Sequence, residues 1–316
     1  MTDVTTVPPI EVPGIEELGL EDLLPSWARS LKARNRSPRT VQSYLESAEQ
    51  LISYLRHTGM PTAVTHLTRE HIEAFLADLQ GKVKPGSVAV RYRSLKQLFR
   101  WLADEGEVSS DPMARMRPPH VPDQPVPVIS PDVVRRLLGT CSGPKFEDRR
   151  DGAILTVLLD CGIRRAELAG IAMADVDFDH STLVVTGKGN RQRLVAVGVT
   201  AMAAIDRYLR VRRRHPRAAS TALWLGPKGP LTGSGVAQLI ERRAAMAGVP
   251  KVHAHQFRHT FAHEWVSGGG TEGDLMQLGG WKSRQMLDRY GRSAAAERAR
   301  NAHRNLSPAD RLLGER

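Results

Sequence analysis

The chain has 316 residues, of which 41% are hydrophobic, so it is long enough to fold into two domains with separate cores. Its formal net charge of +11 and isoelectric point near 10.1 favour a polyanionic partner such as nucleic acid over a small neutral substrate, although the charge alone also suits an anionic membrane surface. No apolar run approaches the roughly 18 residues of a membrane span, and the N-terminus lacks a signal-peptide pattern, so we expect a cytoplasmic protein without a membrane partner.

The first part of the chain separates into an acidic tail and a helical region. Residues 1–19 contain several prolines and acids and no Lys or Arg, which predicts a disordered tail. Residues 20–116 have apolar side chains at helical spacing, which predicts a small helical bundle. Ser37-Pro38 has the form of an N-cap followed by proline at the first helical position, Thr68 is predicted to cap a second helix, and a third follows Pro85-Gly86-Ser87.

Basic side chains lie along the third of these helices, on a face separate from its apolar positions. They are Arg91, Arg93, Lys96 and Arg100. From this segment alone, two interpretations stay open. The cations either contact the phosphates of a nucleic acid or form an ordinary solvated helix face.

A proline-rich stretch separates this bundle from the rest of the chain. Arg117 to Pro127 includes five prolines, which excludes a helix and predicts a linker over residues 117–129. Ser130-Pro131 repeats the helix-start pattern and opens a second domain, predicted over residues 130–292, with a C-terminal tail over residues 293–316.

In the second domain, the predicted elements place polar residues where helices and strands end. The apolar run Ala153 to Leu159 predicts a buried helix that ends at Cys161-Gly162, and Arg164 follows at once. Two β-rich runs flank Gly187-Lys188-Gly189-Asn190, the pattern of a hairpin with Lys188 near its tip. The fold class is therefore mainly α with a small antiparallel β-sheet. Further predicted elements are a short strand at Leu223–Leu225 and helices at about 234–247, 256–267, 271–279, 284–290 and 293–304.

Cysteine and histidine spacing does not indicate a metal or disulfide site. Cys141 and Cys161 are the only cysteines, too few for a disulfide scaffold and without zinc-ligand spacing, so we expect reduced, buried thiols. Three histidines recur at every fourth position on one helix face, but an arginine lies among them and no Cys or acidic partner has ligand spacing. No metal is expected there, and the second and third are expected to pack or support the first. These histidines are His255, His259 and His263.

Three short motifs stand near the end of the second domain. His255-Gln256-Phe257-Arg258-His259 puts a histidine and an arginine on one face of a helical turn, Leu278-Gly279-Gly280-Trp281 follows, and Tyr290 stands nine residues after Trp281. Tyrosine is a weak nucleophile with a free pKa of about 10, so covalent use of it requires nearby cations and a proton acceptor. Taken singly, such residues also suit ordinary roles, as a helix-end arginine, a solvated turn lysine, a core tryptophan or a packed tyrosine.

In this order, the motifs resemble those of the tyrosine recombinases, the phage-integrase family that includes the Xer, Cre and lambda-type enzymes. The resemblance covers about residues 20–292. It implies a SAM-like core-binding domain over residues 20–116 and an α+β catalytic domain over residues 130–292. The matched motifs are Gly162-Ile163-Arg164-Arg165-Ala166-Glu167-Leu168, Gly187-Lys188-Gly189, His255-Gln256-Phe257-Arg258-His259, Leu278-Gly279-Gly280-Trp281 and Tyr290.

The resemblance implies a phosphate clamp and a covalent step. Arg164 and Arg258 would stabilise the charge that builds on the non-bridging oxygens of a DNA phosphodiester. Tyr290 would attack the phosphorus, leaving a 3′-phosphotyrosyl link and a free 5′-hydroxyl. Glu167 is expected to orient Arg164 or a nearby helix, and Arg165 is either a second phosphate contact or solvent-facing.

The remaining matched residues are implied to move protons. Lys188 would protonate the leaving 5′-oxygen, and His255 would help to accept the tyrosine proton and hydrogen-bond the phosphate. Most of the family has histidine at the position of Trp281, so this sequence departs from that pattern toward the choice made in Cre. An indole can donate a hydrogen bond but cannot carry a proton. Since the phosphotyrosyl link preserves a phosphodiester, no ATP, metal or other cofactor is expected, which agrees with the absence of a P-loop motif.

The family also implies partners and alternatives. We expect binding to double-stranded DNA core sites with inverted repeats, a free monomer or weak dimer, a homotetrameric synapse and a Holliday junction. Residues 293–316 either dock on a neighbouring protomer or form a solvated terminal helix, and no separate arm-binding domain is expected. Phage or mobile-element integrase and Xer-like resolvase are both open as biological roles. A type IB topoisomerase-like enzyme and a catalytically idle DNA-binding protein are the rival functions.

Overall fold

The chain divides into two units, residues 1–123 and 124–316, and each has a hydrophobic core of its own. The computed structural model describes residues 18–122, 127–187 and 189–281, and beyond these residues 299, 303–304 and 306–314. The fold is mainly helical with small antiparallel sheets, so the predicted fold class is confirmed.

The first unit contains four α-helices around one core. They are α1 (Leu20–Ala33), α2 (Pro38–His57), α3 (Arg69–Leu79) and α4 (Pro85–Asp104), with a 3-10 turn at Val64–His66. Large side chains from all four are fully or almost fully buried, which explains the apolar spacing in the sequence. They include Trp27, Leu51, Phe75, Leu95 and Phe99.

Helix starts in this unit follow the capping and proline patterns. The Ser37 hydroxyl accepts the N–H of Thr40 at 3.2 Å, and Pro38 occupies the first helical position. Helix α4 begins at Pro85 itself, earlier than the predicted start after Ser87. The reason is that proline fits the first helical turn, where its missing N–H would have no helical partner.

The predicted tail, residues 1–19, lies outside the described residues up to position 17. Leu18 and Gly19 belong to the first unit, because the Leu18 carbonyl accepts the N–H of Val64 and Gly19 forms a β-bridge with Ala63.

The second unit combines eight described helices with two small sheets. The helices are α5 (Pro131–Gly139), α6 (Phe146–Cys161), α7 (Arg165–Ala169), α8 (Val199–Arg212), α9 (Gly233–Met246), α10 (Ala254–Ser267), α11 (Glu272–Gly279) and α12 (Pro308–Leu313), with a 3-10 turn at Met173–Asp175. The strands are β1 (Val176–Asp177), β2 (Thr182–Gly187), β3 (Arg191–Ala196), β4 (Leu225–Gly226) and β5 (Gly229–Pro230).

Strands β2 and β3 form the predicted hairpin inside an antiparallel sheet of order β1-β2-β3. Gly187 pairs with Arg191, and Val185 pairs with Arg193. Gly189 and Asn190 both have positive φ, at 79° and 57°, which is the backbone that the Gly-Asn pair of the turn favours.

Helix α6 is buried along its second half, as predicted, and ends at Gly162 in the left-handed conformation with φ of 56°. A Cβ at this position would lie 2.2 Å from the Phe261 ring, so glycine is required both by the backbone and by the packing. This turn sets Arg164 at the N-cap of α7.

The predicted strand at Leu223–Leu225 is only partly correct, since β4 begins at Leu225. The Leu223 carbonyl accepts hydrogen bonds from the side chains of Tyr208 and Arg212, both at 3.0 Å. The Leu223 carbonyl is therefore satisfied by side chains of helix α8, while the Leu223 N–H donates to the Ile171 carbonyl at 2.9 Å.

The predicted helices at 234–247, 256–267 and 271–279 correspond to α9, α10 and α11, with ends that differ by one or two residues. Those predicted at 284–290 and 293–304 lie outside the described residues, apart from positions 299, 303 and 304.

Two expectations from composition can be compared with the described residues. Cys141 and Cys161 are both buried, as predicted, and burial raises the pKa of each thiol. Among the described helices, none has the length and apolar character that crossing a membrane requires.

Candidate active site

Arg164 and Glu167 form the first part of the site, at the start of α7. The Arg164 side chain is 43% exposed, and its Nη1 donates to Glu167 Oε1 at 2.7 Å. The Arg164 backbone N–H donates to Glu167 Oε2 at 2.9 Å. Glu167 is buried. Its two hydrogen bonds with Arg164 are the contacts expected of a residue that orients Arg164.

Arg193, on strand β3, is a member of the site that sequence reasoning missed. Its Nη2 donates to Glu167 Oε2 at 3.0 Å, and its Nε donates to the carbonyl of Leu278 at 3.3 Å. Burial raises the pKa of Glu167, but the hydrogen bonds from Arg193 and Arg164 outweigh it and hold the pKa below its ordinary value. The Glu167 side chain is therefore an anion between two guanidinium groups.

Arg258 lies on α10 and is only 2% exposed. Its Nη1 donates to the carbonyl of Gly162 at 2.6 Å, and its Nη2 donates to the carbonyl of Gly279 at 2.7 Å. Its guanidinium carbon also lies 3.8 Å from the ring centroid of Trp281, a cation–π contact. These contacts join the ends of α6 and α11 through a single side chain.

The turn that ends α11 is shaped by two glycines. Gly280 has φ of 64° and caps the helix in the left-handed conformation. A Cβ on Gly279 would lie 1.8 Å from the Trp281 ring, so that ring packs directly on the backbone of the helix end. The Gly280 carbonyl accepts a long hydrogen bond from Arg164 Nη2, at 3.4 Å. Arg164 and Arg258 therefore meet at neighbouring carbonyls, and their assignment to a phosphate clamp stays a prediction.

A cleft of about 410 Å³ opens beside these side chains, between the first turns of α7, α9 and α10. The polar part of its wall consists of Arg164, Arg165, His253, His255 and Arg258. Four of these five residues lie at the start of α7 or α10, and the wall therefore carries three arginines and two histidines. Such a surface suits an anionic group such as a phosphate.

The imidazole of His255 is held at the mouth of this cleft against His259, with ring centroids 4.4 Å apart in an edge-to-face arrangement. Partial desolvation and the cations Arg258 and Arg164 lower the pKa of His255. Burial, with His255 and Arg258 nearby, lowers the pKa of His259 to about 3. His255 is therefore neutral at physiological pH and can accept a proton.

Comparisons with known proteins identify the family of this chain. A model of the phage integrase family matches residues 127–297, and a model of the phage integrase N-terminal SAM-like domain matches residues 23–106. The chain belongs to the phage integrase family. It is an enzyme of the tyrosine recombinase class, whose activity is site-specific recombination of DNA.

Curated relatives of this integrase-family chain are named tyrosine recombinases. XerC of Alcanivorax borkumensis is 32% identical over 243 residues, covering 75% of this chain and 78% of the relative. XerC of Chlorobaculum parvum is 29% identical over 289 residues, covering 82% of this chain and 86% of the relative.

Solved structures show the same fold at low sequence identity. The XerH site-specific recombinase, in a post-cleavage complex with a palindromic difH substrate, matches with a TM-score of 0.70 and 16% identity, covering 89% of this chain and 83% of that one. A lambda integrase (75–356) dimer bound to a COC′ core site matches with a TM-score of 0.68 and 17% identity, covering 86% of this chain and 95% of that one.

Two residues that the family resemblance assigns, Lys188 and Tyr290, lie outside the described residues, so their roles stay predictions. The structure does place the strands on either side of Lys188, and Trp281 is the last residue described before the segment that contains Tyr290. In the described part of the integrase chain, no group of three His, Cys, Asp or Glu side chains is placed to hold a metal ion.

The four cations assigned to DNA contacts in the first unit differ in their surroundings. Arg93 and Arg100 are exposed. Arg91 Nε donates to a glutamine side chain on α2 at 2.6 Å, and Lys96 Nζ donates to the carbonyl of Met113 at 3.1 Å. Lys96 thus binds the segment that follows α4. Arg93 and Arg100 suit phosphate contact better, because their side chains are exposed.

Proposed function

We propose that this chain cuts and rejoins duplex DNA through a 3′-phosphotyrosyl intermediate on Tyr290. The observation that supports the proposal is the convergence of Arg164, Arg258 and His255 on the wall of one cleft. Two guanidinium groups supply the charge and planar donors that a phosphodiester in transition requires, and a neutral imidazole supplies a proton acceptor.

The proposed step conserves bonds and protons. The Tyr290 oxygen forms a bond to phosphorus as the bond from phosphorus to the 5′-oxygen breaks. His255 helps to take up the tyrosine proton, and Lys188 gives a proton to the departing 5′-oxygen. The reverse reaction with a 5′-hydroxyl restores a DNA phosphodiester, so rejoining requires no nucleotide cofactor.

The partner is proposed to be double-stranded DNA with inverted repeats at the core site, bound through phosphates by Arg93 and Arg100 among other cations. Strand exchange would proceed in a synapse of four protomers through a Holliday junction, and the free protein would be a monomer or weak dimer. The XerC and XerD names of curated relatives favour a Xer-like role over that of an element integrase.

Residues 293–316 are proposed to dock on a neighbouring protomer. Helix α12 supports this, because Leu312 and Leu313 are 75% and 82% exposed, an unusual state for adjacent leucines. Removal of the chain after Arg292 should abolish cooperative DNA binding in gel-shift titrations. Unchanged cooperativity would reject the docking.

Covalent trapping tests the proposed chemistry. The 316-residue chain is first used to select the duplexes that it binds from a randomised pool. The selected duplexes are then prepared with a nick at each position in turn, so that they act as suicide substrates. Wild type should give an SDS-resistant adduct that Tyr290→Phe abolishes, whereas Tyr44→Phe, at a half-buried residue of the first unit, should retain it. Lys188→Ala should slow cleavage and leave binding nearly unchanged.

Two outcomes would contradict the proposal, the first its covalent chemistry and the second its strand exchange. Binding without any wild-type adduct would indicate an idle DNA-binding protein. Adduct formation without exchange between two sites would indicate a topoisomerase-like enzyme, since only a recombinase joins strands from different duplexes.

A further inference from the structure

Three consecutive carbonyls at the end of α11 each accept a hydrogen bond from a different arginine. Arg193 donates to Leu278, Arg258 to Gly279 and Arg164 to Gly280, at 3.3, 2.7 and 3.4 Å. The last carbonyls of a helix have no helical N–H partner, and cations stabilise them. The three arginines come from β3, α10 and the start of α7, so this helix end is fixed from three directions.

Arg193 differs from the other two arginines because the cleft wall does not include it. Its side chain is 18% exposed, against 43% for Arg164, and it contacts Glu167 instead of open space. It also belongs to the strand that follows Lys188 and pairs with Val185 across the hairpin. One guanidinium thus connects the hairpin, the carboxylate that orients Arg164, and the helix end that precedes Tyr290.

We propose that Arg193 is a positioning residue that fixes Arg164 and the end of α11 relative to each other for the cleavage step. The inference rests on the proposed function, since it concerns the geometry of that reaction. Arginine suits this role because its planar group makes two bonds in fixed directions, whereas a lysine ammonium is a single point charge. Among the described residues, Glu167 without Arg193 would keep Arg164 as its one cationic partner, and the Leu278 carbonyl would lose the bond from Arg193.

The expected effect is kinetic. A misplacement of about 1 Å in a catalytic group costs about 100-fold in rate, so Arg193→Gln should slow adduct formation on the trapped duplexes about 100-fold at saturating DNA. Arg193→Lys should still be about 10-fold slow, because it restores the charge without the second bond. Arg210→Gln is the matched control, since it removes an arginine whose side chain is 64% exposed in a surface pair with Asp206, and it should react normally.

A DNA substrate with a sulfur leaving group shows whether the Arg193→Gln defect comes from displacement of Arg164 or of Lys188. A 5′-bridging phosphorothiolate leaves as a thiolate and requires no proton, so it should rescue Lys188→Ala. It should not rescue Arg193→Gln, in which the phosphate clamp is displaced. Glu167→Gln should be slow in the same way, and the double variant should be no slower than the slower single variant, because both act on Arg164.

Three kinetic results would overturn the proposal: a rate for Arg193→Gln within about twofold of wild type, full rescue of that variant by the sulfur leaving group, or additive losses in the double variant. If Arg193→Gln does not fold, Arg193→Lys serves in its place for the same comparisons.

A measurement without DNA keeps the test independent of the proposed chemistry. The amides of Gly280 and Trp281 donate to Gln277 and Met276, closing the helix end. Their hydrogen exchange should be faster in Arg193→Gln and unchanged in Arg210→Gln. Unchanged exchange in Arg193→Gln would refute the coupling, while absence of a wild-type adduct would refute the proposed function instead.

Discussion

The guanidinium of Arg258 lies over the ring of Trp281, with its central carbon 3.8 Å from the ring centroid. Both side chains are at most 4% exposed, so the contact is shielded from water. A desolvated cation–π contact contributes about 2 kcal/mol or more. Trp281 therefore packs on Arg258 through its ring face, and its indole cannot carry a proton.

Two replacements of Trp281 should distinguish the contribution of its ring face from that of its indole N–H. Trp281→Phe keeps an aromatic face beneath Arg258 and should retain most adduct formation. Trp281→Ala removes the face and leaves a cavity, with an expected loss of about 3–5 kcal/mol in the free energy of unfolding. Urea unfolding and covalent trapping measure the two effects. Equal behaviour of the two variants would contradict a role for the ring face.

Gly279 and Gly273 offer a matched pair on helix α11. A Cβ on Gly279 would lie 1.8 Å from Trp281, whereas the nearest atom to a Cβ on Gly273 is 3.9 Å away. Gly279→Ala should cost about 1–3 kcal/mol through overpacking and slow cleavage by shifting the ring. Gly273→Ala should be neutral or slightly stabilising, since alanine favours helix. Thermal melting of both variants tests this, and similar melting temperatures would reject the packing argument.

Local features of the fold were predictable because their causes lie within a few residues. Ser130 caps α5 by accepting the N–H of Val133, three positions away, and the hairpin turn needs only Gly189 and Asn190 in left-handed conformations. The site motifs were recognisable for a similar reason, since each is a short run of residues on one turn.

Long-range partners were not predictable from one sequence. Arg193 reaches the Leu278 carbonyl across 85 positions, and Arg243 reaches Asp151 across 92. Charged residues are by default assigned to the surface, and no local pattern marks those that fold inward. Lys96 is a further example, since its ammonium bonds to the carbonyls of Met113 and Ala114, 17 and 18 positions away, and no local pattern marks these contacts.

The buried carboxylate of Asp151 should be required for folding. It is fully buried and accepts hydrogen bonds from Arg150 and Arg243 at 2.9 and 2.8 Å. Asp151→Asn would remove the carboxylate that pairs with buried Arg150 and would leave Arg243 with Asp148 as its one carboxylate partner among the described residues, at an expected cost of about 3–5 kcal/mol. Asp206→Asn, in an exposed pair, should change the free energy of unfolding by about 0.5 kcal/mol or less. Urea unfolding measures both, and equal changes would contradict the prediction.

Stability should depend on pH through His259, which is 8% exposed and has its pKa lowered to about 3, first by burial and then by His255 and Arg258. Above about pH 6.5, neither the folded nor the unfolded chain protonates this ring, and the folded state keeps its full stability. As the pH falls below 6.5, the His259 ring is protonated in the unfolded chain but stays neutral in the folded chain. This difference lowers the free energy of unfolding by up to about 1.4 kcal/mol per pH unit. The free energy of unfolding in urea should therefore fall between pH 7 and pH 5, and His259→Gln should reduce the slope. His180→Gln, at an exposed histidine, should retain the wild-type slope, and a His259→Gln slope equal to that of wild type would show that other groups cause the decline.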